Sequence, residues 1–202
     1  MSTTPLEIMC APFQVYVGPV GETFPDVDDT PAGNWVLLGT NGHESMAEAG
    51  VTVNHTQSVN LVRAYGTTAP VKALRASEDL TFLFSLIDVS PTEYARALNH
   101  NTVSTTAAGA ATGGYNKLGI YQGPDVTQRA WLFRAINSST ELATGHVQYE
   151  LPIGVVASSP SLVHVKGAPA ALAFEVDGIF DTSQASGEEL GRLIMQITEP
   201  TG

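Results

Sequence analysis

Apolar and polar residues alternate with a period of two over much of this chain. Val147, Tyr149, Leu151 and Ile153 interleave with His146, Gln148 and Glu150. Leu172, Phe174 and Val176 interleave with Glu175 and Asp177. Leu80, Phe82, Phe84 and Leu86 point one way, while Thr81 and Ser85 point the other. Phe13, Val15 and Val17 interleave with Gln14 and Tyr16, and the shorter runs Val51-Thr52-Val53 and Trp131-Leu132-Phe133 fit the same template. In a strand, successive side chains leave opposite faces, so this pattern predicts antiparallel strands with one face on a core. Gly and Pro fall mostly between the runs, as turn residues do.

One segment breaks the period. Ser90-Pro91-Thr92-Glu93 offers an N-cap serine, a proline at the first helical position and a glutamate at the third. Tyr94, Ala97 and Leu98 then share a helical face, and Asn99 or Asn101 can end the turn. The stretch from Glu188 to Ile197 fits a helix through Leu190, Leu193, Ile194 and Ile197, and a strand through Leu193, Met195 and Ile197. Gly191 and the β-branched end favour a strand or an extended arm. Three segments read as loops: 18–33, rich in Gly, Pro and Asp; 64–77, with Gly66, Pro70, Lys72 and Arg75; and 102–114, small and polar. The fold expected is mainly β: an antiparallel β-sandwich or roll with one short flanking α-helix. It forms a single domain over 1–202, with an N-terminal arm 1–11, a long loop 55–77, a flexible loop 102–114 and a C-terminal extension 188–202.

Composition narrows the function. The 202 residues carry 20 Asp and Glu against 9 Lys and Arg, a formal charge of −11. Charged residues make up only 14% and hydrophobic ones 43%, which excludes a disordered acidic chain. Such a balance opposes nucleic-acid binding, which needs a basic footprint, and docking on anionic membranes. A lone cysteine, Cys10, permits no internal disulfide. The start lacks the basic and apolar regions of a signal peptide, and no run is long enough to span a membrane. A soluble chain, made and at first kept inside a cell, is expected.

Catalytic chemistry is hard to find. The histidines, at 43, 55, 100, 146 and 164, form no metal-ligand spacing. The stretch from Gly109 to Lys117 reads GAATGGYNK, where Tyr115 and Asn116 separate the glycines from the lysine a phosphate loop needs. No nucleophile elbow occurs, and Asp177 and Asp181 read as solvated acids at a strand end. The sequons at Asn54 and Asn137 match chance in a chain without a secretion signal. Structural or interaction work suits this composition better than catalysis.

The order of segments is more specific. It runs through FQVYVGPVGETFP (residues 13–25), NWVLLGTNG (34–42), GVTVNHTQS (50–58) and APVKALRASEDLTFLFSLIDVSPTEYARALN (69–99). This order resembles the major tail tube protein of long-tailed, non-contractile bacteriophages and related gene-transfer particles. The resemblance covers about residues 11–99, and the second half matches only as alternating strands and a short C-terminal extension. It implies a β-sandwich flanked by one helix, assembled into hexameric rings. Inner sheets of the ring join into a continuous β-barrel, and rings stack into a hollow conduit for the genome. It further implies assembly in the host bacterial cytoplasm, location in the virion tail, and tape-measure, terminator and distal-tail proteins as partners. DNA would pass through the lumen without specific binding. No enzyme activity, cofactor, metal or membrane is implied.

On that footing, His146, Gln148, Glu150, Glu175 and Asp177 are candidate lumen-facing residues, because an acidic wall repels phosphate. They fit equally the solvated face of any sheet. Arg63, Lys72 and Arg75 are candidates for ring stacking, since they place cations on a long loop of a base-poor protein. Readings that compete are another virion part (a tail terminator, a head–tail joining protein or a decoration protein) and a cellular β-sandwich binding module. The last would want an exposed aromatic platform, whereas Trp35 and Trp131 sit in apolar runs and are expected in the core.

Overall fold

A computed structural model describes residues 12–136 and 145–196. The strands within them are β1 (Phe13–Gly18), β2 (Val36–Leu37), β3 (Thr52–Val62), β4 (Lys72–Leu86), β5 (Val103–Thr106), β6 (Tyr115–Leu118), β7 (Gln128–Ile136), β8 (His146–Val156), β9 (Leu172–Gly178) and β10 (Arg192–Met195). The helix α1 spans Pro91–Leu98. The main sheet runs β2-β1-β7-β8-β9-β4-β3, with every pairing antiparallel, and β5–β6 form a separate pair.

Strand β8 is where this sheet folds back on itself. Along one edge its first half pairs with β10, from Val147 to Glu150, and its last residues pair with β9. Pro152 lies between the two partners, where a missing N–H costs no ladder bond. A Cβ at Gly154 would come within 2.6 Å of Leu151 and 2.8 Å of Trp131, so glycine leaves the room these two side chains fill. The result is an open antiparallel sheet that curls until strands far apart in its order meet face to face. Phe82 of β4 stacks on Phe133 of β7 at 4.1 Å, although these strands are not neighbours in the sheet.

The alternating pattern decides which faces meet. Phe82, Phe84, Leu86, Phe174, Val176, Val15, Val17, Trp131, Phe133 and Leu151 form one buried cluster. Each large side chain taken from water contributes about 2–3 kcal/mol. Ser90 caps α1, its hydroxyl accepting from the Glu93 N–H at 3.2 Å, with Pro91 at the first position. Ala97 and Tyr94 pack the helix against the same core, and the Asn99 N–H closes it on the Ala95 carbonyl. The segment after Glu188 forms a strand, β10, in line with the Gly191 and β-branched signals.

Two expected loops are hairpins instead. The long loop 55–77 is the outer part of β3 and β4, joined by a turn at 63–71. Its Thr and Val residues suit an extended backbone, but with polar residues on both faces they show no core-facing alternation. From residue 54 to residue 77 every side chain is exposed. The arm therefore projects roughly 30 Å from the body at the usual strand rise. The flexible loop 102–114 is in large part the β5–β6 hairpin, where Val103 opposes Leu118 and Thr106 opposes Tyr115 across a Gly- and Ala-rich tip. The arm 1–11, Cys10, the Asn137 sequon and the last residues of the extension, 197–202, lie outside the described residues.

Candidate functional site

The candidate lumen residues divide into two groups. Gln148 and Glu150 are buried, at 0% and 2% exposure, and so do not form an open wall. The reason is the 18–33 segment. It folds back over the outer face of β1, β7 and β8, where Phe24 packs on Trp35 at 5.0 Å and the Trp35 indole donates to the Thr23 carbonyl at 2.9 Å. Trp35, Ala130 and Leu132 are buried there as a second, smaller core, and Tyr16 and Phe24 complete it. Polar side chains beneath the segment satisfy its carbonyls. Gln148 Nε2 donates to Pro25 at 2.9 Å, Arg134 Nη2 to Val27 at 2.7 Å, and Arg134 Nη1 to Asp29. His146, half-buried at the start of β8, donates its backbone N–H to Gln196 Oε1 at 3.2 Å.

Glu150 joins this network to the last strand. It accepts from Gln148 Nε2 at 2.5 Å and from Arg192 Nε at 2.5 Å, while Arg192 Nη1 reaches Glu188 at 2.8 Å. The Arg192 guanidinium also lies over the Phe24 ring at 5.7 Å. Burial pushes the Glu150 carboxyl above its ordinary range, and the bond from Arg192 pulls it part of the way back. A close approach makes the docking possible, because a Cβ at Gly191 would lie 2.7 Å from the Glu150 carbonyl.

Glu175 and Asp177 lie on the outer face of β9, half-buried. Asp177 accepts the Thr81 hydroxyl at 2.7 Å, and Glu175 opposes Leu83. These two remain on a partly solvated sheet face, separated from Gln148 and Glu150 by the fold of the sheet.

Arg63, Lys72 and Arg75 are exposed, and all three lie on the β3–β4 arm. Arg63 braces the turn by donating to the Thr68 carbonyl at 2.6 Å. Lys72 opens β4 opposite Val62. Arg75 meets Glu78 at 2.5 Å, and Glu78 also meets His55 at 2.8 Å, which holds its carboxyl below the ordinary range. The arm exposes apolar surface beside these charges, with Leu61 at 54%, Val71 at 59% and Tyr65 fully out. The ladder shifts register at Ser58/Val59, a bulge that turns the outer arm relative to its root.

Sequence reasoning missed the pins that hold the β5–β6 hairpin. Asn99 Nδ2 donates to the Gln122 and Asp125 carbonyls at 2.7 and 2.8 Å, and its Oδ1 accepts the Thr127 N–H at 2.7 Å. Asn101 Nδ2 donates to Gly119 and Tyr121. Helix-end chemistry is all the sequence shows for either asparagine, and nothing in it pairs them with carbonyls some twenty residues away. The buried Gln148–Glu150–Arg192 network was missed for a similar reason: alternation shows which residues leave the core but not what covers them.

Among the described residues no group of three or more His, Cys, Asp or Glu is placed to hold a metal ion. Among them, too, no helix is long and apolar enough to cross a membrane. No protein-family model matches the chain, and no curated protein matches it either.

Proposed function

We propose that this chain is the major tail tube subunit of a long-tailed, non-contractile bacteriophage or a related gene-transfer particle. Its hexameric rings would stack into the conduit through which the genome leaves. The observation that carries this reading is the β3–β4 arm. An isolated two-stranded ribbon is marginal in water, and this one also exposes Leu61, Tyr65, Val71 and Leu74. Such an arm gains stability by lying on another subunit, and Arg63, Lys72 and Arg75 offer charge to an acidic neighbour. Among the described residues the outer edges of β2 and β3 carry no further strand, which supports the same reading, because open edges invite pairing between chains. Glu175 and Asp177 are the remaining acidic candidates for the lumen face.

The test is negative-stain electron microscopy of the purified chain over a concentration series, with light-scattering mass alongside. Hollow tubes or stacked rings with sixfold end views support the reading. Rings that never stack favour a terminator or joining protein instead.

A further inference from the structure

Charge is unevenly distributed along this fold. Three stretches, 50–77, 99–124 and 157–173, hold Arg63, Lys72, Arg75, Lys117 and Lys166, five of the 9 basic residues, and none of the 20 acidic ones. These stretches are the β3–β4 arm, the β5–β6 hairpin with its flanks, and the loop between β8 and β9. They also carry most of the exposed large apolar side chains among the described residues, including Tyr115, Ile120, Tyr121, Val163 and Val165.

Register places the arm at one end of the main sheet and the other two stretches at the opposite end. Leu86, the end of β4, opposes Leu172, the start of β9. The 157–171 loop enters β9 at that end, and α1, which follows β4, contacts both β5 and β6. The β3–β4 arm leaves from the other end of β4. Around the root of that arm the charge is reversed. Asp79 is exposed there, Asp177 opposes Thr81, and the Asp181 N–H bonds the Glu189 carbonyl just beyond β9. A cleft brings Glu78 against Gly187 and Arg192, which places the Glu188–Glu189 turn beside the arm. Among the described residues, Asp79, Asp177, Asp181 and Glu189 have no basic ion-pair partner, and Lys117 and Lys166 have no acidic one.

We infer that the β5–β6 hairpin and the 157–171 loop, neither of which holds an acidic residue, dock head to tail on the acidic collar at the arm root of a second copy of this chain. The occupant follows from complementarity: one end presents lysines and bare apolar side chains, and the other presents carboxylates without counter-charges. A contact between two different surfaces propagates rather than closing into a dimer. The inference deepens the tail-tube reading by naming the surfaces that meet, and it shares with that reading only the premise of self-association.

Charge exchange tests it. Lys117→Glu with Lys166→Glu, and separately Asp79→Lys with Glu189→Lys, are each expected to raise the self-dissociation constant about tenfold or more by sedimentation velocity. Combining all the substitutions is expected to restore association, and raising salt is expected to weaken the unaltered chain. Circular dichroism checks that each variant folds. A Lys117/Lys166 variant that associates like the unaltered chain, a combination that restores nothing, or an unaltered chain that stays monomeric overturns the inference. Tubes that persist in the Lys117/Lys166 variant overturn this docking and leave the tail-tube reading standing. Rescued association that yields no tubes does the reverse.

Discussion

Arg192 of β10 and Glu150 of β8 form a 2.5 Å ion pair in which the carboxylate is buried and the guanidinium is partly solvated. The pair binds the last described strand to the centre of the sheet, and Gln148 extends it to the segment covering that sheet. Removing one partner of such a pair leaves the other charge stranded.

That asymmetry predicts a pH signature. Burial raises the Glu150 carboxyl above its ordinary 4.5, so the folded chain holds this proton more tightly than the unfolded chain. Its contribution to stability is fully present below the unfolded value and is lost as pH rises through the folded one. Arg192→Ala removes the pull of the guanidinium and extends the loss. The variant is expected to lose about 2–3 kcal/mol near neutral pH and clearly less at about pH 4.5, by urea denaturation. Equal destabilisation at both pH values would show that Glu150 stays charged without its partner.

His100 predicts the opposite slope. It follows α1 in a left-handed conformation, φ 57°, and its Nε2 is buried with no hydrogen-bond partner among the described residues. Burial, with Arg129 and Arg96 nearby, lowers its pKa from 6.5 to about 4. A depressed histidine contributes stability that is present above the unfolded value and is lost as pH falls through the folded one. The chain is expected to lose up to about 3 kcal/mol between these limits from this group. Asn tolerates the same backbone region, so His100→Asn should keep the fold and flatten that slope. An unchanged acid limb in His100→Asn would assign the loss to other groups.

The core prediction rests on Phe84, 4% exposed and stacked on Phe174 at 4.9 Å. Phe84→Ala is expected to cost about 3–5 kcal/mol in chemical denaturation, because its rigid aromatic neighbours cannot collapse into the space. A change under about 1 kcal/mol would mean that the two layers pack less tightly than these ring contacts imply.

Legibility in the sequence followed what each residue type can report. Phe82, Phe84 and Leu86 revealed their strand and its buried face, because burial on one side alone leaves a period of two. Ser90-Pro91-Thr92-Glu93 marked the helix start, because capping is local chemistry. Trp35 and Trp131 were placed in the core by their apolar runs, and both are buried. The β3–β4 and β5–β6 hairpins look like loops in the sequence, because strands solvated on both faces lose that period. Gln148 and Glu150 look solvated in the sequence, because their cover comes from a segment more than a hundred residues earlier.

The proposed stacking contact can be separated from folding. Lys72 and Arg75 lie on the exposed arm, where no core residue depends on them. Lys72→Glu with Arg75→Glu is expected to leave the melting temperature nearly unchanged and to suppress tube growth. Electron microscopy at matched concentration reads the second effect. Arg75 also pairs with Glu78, but exposed pairs contribute only about 0–1 kcal/mol, so its loss does not mimic unfolding. Normal tubes from this variant would remove the arm's charge from the assembly mechanism.

Asn99 offers a test of local rather than global stability. Its amide makes three hydrogen bonds to the 119–127 segment, which otherwise runs exposed between β6 and β7. The β5–β6 hairpin contacts the body mainly through α1 and these asparagine bonds, so it belongs to the low-stability end of the molecule. Asn99→Ala strands the Thr127 N–H and frees two carbonyls. Hydrogen exchange is expected to accelerate about tenfold or more across β5, β6 and the 119–127 segment, while the amides of β4, β7 and β9 keep their protection. If protection fell evenly across the sheet, the hairpin would be part of the cooperative core rather than an appendage pinned to it.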